Sequence, residues 1–214
     1  MAEHVGSESL SMTNADRAHS EMATNWRVLR GFSIKGTGTT IELREAGPDL
    51  PAAPAAALAD PAAPGNVNDG AHDYALTFAT ADGETPESPL TVVTVANKTV
   101  NGQVTVTVPA ITDDRITSVW IYRSAAAAHV LKRLHEVTTG LDAEQVYTDN
   151  TADSGLVNTQ PPVTNGAGAL LRTVTDSENE GPWAAGIPTP GRRKVTAILT
   201  AGAAATAAIY GTDH

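Results

Sequence analysis

The 214-residue chain contains no cysteine. Disulfide frameworks and thiolate metal sites are therefore excluded, and cysteine usage carries no information about compartment. Aromatic residues are scarce at 4%: two Phe, three Trp and four Tyr. Any core must be thin, with Trp26, Phe32, Tyr74, Phe78, Trp120, Tyr122, Tyr147, Trp183 and Tyr210 carrying much of it. Basic residues are outnumbered, 14 Lys and Arg against 24 Asp and Glu, for a net charge of −10. The chain as a whole repels nucleic acid, and the lone compact basic run, "GRRK" at Gly191–Lys194, is too short for a footprint. Long apolar runs are also missing. Val195 to Tyr210 is broken by Thr and Gly and falls below the ~20 residues that span a bilayer. The opening "MAEHVGSESLSMTN" has no apolar stretch of signal-peptide length. The expectation is a soluble protein without a membrane partner, not exported by an ordinary N-terminal signal.

What is present is Ala, Val and Thr, punctuated by 18 Gly and 13 Pro. Small and β-branched residues between turn formers suit many short strands. Residues 1–24 are polar, and "MTNADRAHSEMATNWRVL" fits a short helix capped by Thr13 or Asn14. Alone it is marginal, so the stretch reads as an arm ordered against a partner. In residues 25–50, "FSIK" and "TIELRE" alternate around "GTGT", the signature of a hairpin. "KGTGTT" lacks the Lys–Ser/Thr ending of a phosphate loop, and a β-turn accounts for it. "GPDLPAAPAAALADPAAPGNVNDG" is a proline-rich linker leading into an edge strand around Ala55–Ala59.

Between Gly70 and Gln160 strand patterns recur: "HDYALTFAT", "PLTVVTVAN", "NGQVTVTVPA", "ITSVWIYRS", "VLKRLHEVTT" and "EQVYTDN". Turn chemistry separates them, including Asn101–Gly102, a hairpin dipeptide. The segment Ala125–Val137 is ambiguous, because four alanines before "HVLKRLHE" favour a helix on propensity. A helix there would leave "VWIYRS" without an antiparallel neighbour, so the reading is a hairpin with Ala125–Ala128 as its loop. After Gln160, residues 161–191 read as a linker with one short strand, "ALLRTVT". Residues 192–214 read as a closing hairpin that pairs with 25–50 or with a neighbouring subunit. A two-strand flap of alanines does not fold by itself.

"HDYALTFATADGETPESPLTVVTV", "NGQVTVTVP", "ITSVWIYRS" and "VYTDNTADSGL" resemble the fibronectin type III-like modules of tailed-bacteriophage virion proteins. The resemblance covers residues 51–160, about half the chain, with the strand order rotated relative to an ordinary module. It implies an all-β protein built on a fibronectin type III/immunoglobulin-like β-sandwich; the residues outside it, 25–50 and 161–214, are read as meeting in a second small β unit from the N- and C-terminal segments, with the sandwich inserted between them. It further implies a structural protein of the virion, assembled in the bacterial host cytoplasm. Its terminal segments would dock on the particle as a capsid decoration or head-spike component, less so in the neck or tail. The implied partners are other virion proteins (capsid, portal, neck or tail) and further copies of the same chain. The competing reading is a soluble carbohydrate-binding or adhesion module of a bacterial surface protein, against which the missing export signal counts. Weak glycan contact remains open to the sandwich, although no aromatic platform is visible.

No catalytic, cofactor-binding or metal-ligating residues are assigned, and the chain is read as a non-enzyme. His4, His19, His72, His129, His135 and His214 show no ligand spacing. Asp149 and Asp153 with Asp142 supply oxygen ligands of the kind calcium takes, but an Asx-turn loop is the favoured reading. The paired carboxylates Asp113/Asp114 and Glu178/Glu180 fall in turns, and G-x-S-x-G is absent.

Overall fold

The computed structural model describes residues 5–13, 20–22, 28–35, 40–45, 47–175, 187–188, 195–201 and 204–212, with side chains essentially across 47–170. Four strands come first: β1 (Val5–Thr13), β2 (Ser20–Met22), β3 (Val28–Lys35) and β4 (Thr40–Glu45). Next are β5 (Ala55–Leu58), β6 (Gly70–Thr80), β7 (Gly83–Glu84), β8 (Thr91–Val95), α1 (Lys98–Asn101), β9 (Val104–Val108), β10 (Ile116–Ser124), β11 (Leu131–Val137) and β12 (Gln145–Asp149). The last four are β13 (Leu170–Thr175), β14 (Ile187–Pro188), β15 (Val195–Ala201) and β16 (Ala204–Thr212). The protein is all-β, in antiparallel sheets. It divides into two compact units: Pro48–Pro162, and the two flanks 1–47 and 163–214 together.

The inserted unit is a sandwich. One sheet runs β11-β10-β6-β7 with β8 also on β6, and the other runs β12-β9-β5. Alternation sets the inner faces: Val104, Val106 and Val108 are buried while Thr105 and Thr107 are not. They meet Tyr74 and Leu76 of β6, Val93 and Val95 of β8, and Val119 and Ile121 of β10 in one core. Each such side chain contributes about 1.5–3 kcal/mol on burial. Small Val side chains from several strands thus do what few aromatics cannot.

The alanines at 125–128 form a hairpin loop. β10 and β11 pair antiparallel from Ser124↔Leu131 to Val119↔Val137, with a bulge at Ile121/Tyr122. Ala127 adopts φ 56° and its amide donates to Ala71 O. Strand pairing on both sides of β10 outweighs the helix propensity of four alanines. Asn101–Gly102, by contrast, is not a hairpin turn. Lys98–Asn101 is a short helix capped by the Asn97 side chain and ended at Gly102. The strands on either side belong to different sheets, so the chain crosses the sandwich there.

The flanks correct three expectations. Val5–Thr13 and Ser20–Met22 of the expected arm are strands, because β1 and β2 find ladder partners in β16 and β15, and residues 14–19 and 23–27 of the expected helix lie outside the described residues. β3 and β4 do not pair with each other, and neither do β15 and β16, so neither expected hairpin forms. Each consecutive strand instead goes to the opposite sheet. The sheets run β1-β16-β3-β14 and β13-β4-β15-β2. The pairs β1·β16, β2·β15, β3·β14 and β4·β13 are the rungs of one long antiparallel ribbon, with β16·β3 and β15·β4 added as it winds on itself. This is the eight-stranded double Greek key of a jelly roll, larger than the small unit expected from residues 25–50 and 161–214, since β1 and β2 join it. Period-two alternation marks each strand, but the partner is chosen by winding, which local pattern does not encode.

β4 and β13 run side by side through Arg44↔Leu170, and Glu45 N donates to Ala169 O at 2.9 Å. Arg44 Nη1 reaches the carbonyls of Gly166 and Gly168 at 3.2 and 3.0 Å, closing the base of the ribbon.

Candidate functional site

The polar groups of the inserted unit gather in two places. The first is a charged brace in the interior. Arg123 lies on β10 in phase with Val119 and Ile121, which turns its guanidinium inward, and it is fully buried. Its Nη1 donates to Asp149 Oδ2 at 2.6 Å and to Thr151 O at 2.9 Å, and its Nη2 donates to Asp153 Oδ1 at 3.0 Å. Tyr74 Oη donates to the same Asp149 oxygen at 2.8 Å, while Asp149 Oδ1 accepts from Thr151 N at 2.9 Å. Asp153 Oδ2 accepts from Ala126 N at 2.9 Å, holding the alanine loop, and Asp153 N donates to Asn68 Oδ1 at 3.1 Å. One guanidinium thereby ties a strand of one sheet to the end of a strand in the other. Burial lifts the Tyr74 phenol well above its ordinary range, and the adjacent Asp149 carboxylate lifts it further. The phenol is held as a donor.

The second group lies on the outer face of the larger sheet. Tyr122 packs with Ala75 and Leu131 in a small cluster of its own, apart from the main core. Its hydroxyl donates to Glu84 Oε1 at 2.7 Å and accepts from Arg133 Nε at 2.9 Å. Arg133 and Thr77 also bond Glu84. The guanidinium of Arg133 lies over the Trp120 ring at 4.2 Å. Burial raises the Tyr122 phenol; Arg133 opposes that and Glu84 adds to it. One face of the Trp120 ring is therefore taken by Arg133.

The residues singled out in the sequence fall as follows. Asp149 and Asp153 are brought together, around Arg123; Asp149 also makes its own turn bond, and Asp142 is exposed. Among the described residues no group of three His, Asp or Glu side chains could hold a metal ion. Asp113 pairs with Arg115 in the turn before β10. His129 bonds Asp73 at 2.8 Å, and His135 stacks on Tyr147 at 4.1 Å. His4, His19, His214, Glu178, Glu180 and "GRRK" lie outside the described residues. Arg123, Glu84 and Arg133 were not singled out, and His72 was weighed only as a metal ligand. Arg123 had a signal, since in "VWIYRS" it shares parity with the core residues Val119 and Ile121. An inward-facing Arg requires a buried carboxylate, and Asp149 shares parity with Tyr147 in "QVYTD".

Chemically both groups are networks of paired charges: a brace around Arg123 and a surface network around Glu84. No helix among the described residues is long and apolar enough to cross a membrane. The chain matches no protein-family model, no curated protein and no solved structure.

Proposed function

We propose that the protein is a structural component of a tailed-phage virion, in which the unit formed by the two chain ends docks on the particle and the inserted sandwich is displayed. The observation that carries this reading is the division of labour in the fold. Both flanks are committed to one jelly roll, and the sandwich is an interruption between two neighbouring strands, β4 and β13. Jelly rolls are an architecture of viral capsid and lectin domains. That analogy of fold raises the prior and no more, and it joins the resemblance of "YALTFATADGETPESP", "IYRS" and "VYTDN" to phage modules. Against a glycan-binding role for the sandwich stands Trp120, whose ring already carries Arg133.

The test is immunogold labelling of phage particles released by the host that produces the chain, with an antibody to the full chain. Label on the head, neck or tail supports the reading and assigns the position. Label confined to bacterial surfaces, together with glycan-array binding by the full chain, would replace it with an adhesion or carbohydrate-binding module. Solution mass sharpens the result, since a decoration subunit is expected as a symmetric oligomer or as a chain that oligomerises on the particle.

A further inference from the structure

We propose that the sandwich carries a structural proton on His72, held there as an imidazolium that is the second cation of the buried brace. The ring is completely buried. Its Nδ1 lies 3.0 Å from Ser124 O and its Nε2 lies 2.8 Å from Asn68 O. A backbone carbonyl oxygen only accepts. A neutral imidazole has one N–H and one lone pair, so one of these two contacts would set a lone pair against a carbonyl oxygen. Both contacts are satisfied only when both nitrogens carry protons.

The charges around the ring agree. Asp153 on the turn after β12 has Oδ1 3.9 Å from His72 Nδ1. The same carboxylate binds Arg123 of β10, and Arg123 also binds Asp149 of β12. Next along β6, Asp73 is buried and faces the exposed His129. Within the brace, Arg123 and His72 balance Asp149 and Asp153. Without the proton one buried cation faces the buried Asp149 and the partly exposed Asp153, which leaves the brace one positive charge short.

The consequence is a pH-sensitive clasp. His72 joins the segment before β6 to the end of β10, and Asp153 N bonds Asn68 in the same segment. Loss of the proton frees one of the two carbonyl contacts and loosens Asn68–His72 against Ser124–Ala126. This inference stands on the sandwich alone and does not depend on the virion reading.

The experiment is ring-nitrogen NMR on the full chain at about pH 7.5, where free imidazole is neutral. His72 is assigned through its contacts with Asn68 and Ser124, so no variant is needed. Two protonated ring nitrogens with slowly exchanging N–H signals are expected; one protonated and one lone-pair nitrogen overturns the proposal. A second readout compares urea unfolding of the wild type and His72→Gln between about pH 6 and 8. The wild type is expected to lose up to about tenfold more in its folding equilibrium per pH unit than the variant. Identical pH dependence in the two proteins also overturns the proposal.

Discussion

The inserted sandwich and the jelly roll around it are both antiparallel β structures, yet their strands find partners over very different distances along the chain. In the sandwich a strand can pair with its neighbour across a short loop, as Ser124 does with Leu131. In the roll every described pair joins a residue before the insert to one after it, and the nearest is Arg44 with Leu170. Closing a flexible loop costs free energy that grows as (3/2)RT ln n, so shrinking a loop of more than a hundred residues to about ten recovers about 2 kcal/mol. A folded insert does that shrinking, because its ends leave from adjacent strands. Local pairing also forms faster than distant pairing. The comparison therefore teaches an order of dependence: the sandwich's described strand pairs all lie within Pro48–Pro162, whereas the roll's pairs each close across that stretch of chain.

The largest expected effect comes from breaking the brace. Arg123→Ala leaves the buried Asp149 and the partly exposed Asp153 without their cation and costs the sandwich about 3–5 kcal/mol. Hydrogen exchange should then show lost protection in β5–β12 and, through the reopened loop, in the ladders of β1–β4 with β13–β16. Protection of the roll that is unaffected by this variant would break the comparison. The converse substitution is Leu43→Ala in β4, whose side chain is fully buried. It should cost the roll about 2–5 kcal/mol while amides of the sandwich keep their wild-type exchange rates.

Smaller effects sharpen the account within the sandwich. Tyr74→Phe removes the hydroxyl that donates to Asp149, for a loss of about 1–2 kcal/mol at neutral pH. Because burial raises this phenol, its contribution is complete below the free tyrosine value of about 10 and is lost as pH climbs above it. Urea midpoints between about pH 9 and 11 should fall more steeply for the wild type than for Tyr74→Phe. Smallest is Ala127→Gly. Ala127 sits at positive φ in the hairpin loop, a conformation that glycine adopts freely. Relief of that strain should raise stability by about 0.5–1 kcal/mol, read as a shift in thermal midpoint.

The strands were legible where side chains alternate over several residues. Val104–Val108, Ile116–Ser124 and Tyr74–Phe78 carry their inward faces in plain view, and Ala125–Ala128 could be assigned by asking what "VWIYRS" would otherwise pair with. The brace was only half legible. Arg123 sat at a core-facing position, but its partners come from β12 and the turn after it, and loops decided that meeting. His72 gave no warning, since a histidine in "GAHDYALT" looks the same whether it faces water or two buried carbonyls.

Composition and periodicity by themselves determined an all-β chain with a Val-built core and turn-rich connections, because period-two burial is a local property of each strand. Partner choice is not local. Only the tertiary structure decided that residues 1–47 and 163–214 wind into one eight-stranded roll, and that Arg123 joins two carboxylates, one of them beside His72. Backbone ladders accept any strand, and a buried charge is defined only by what surrounds it.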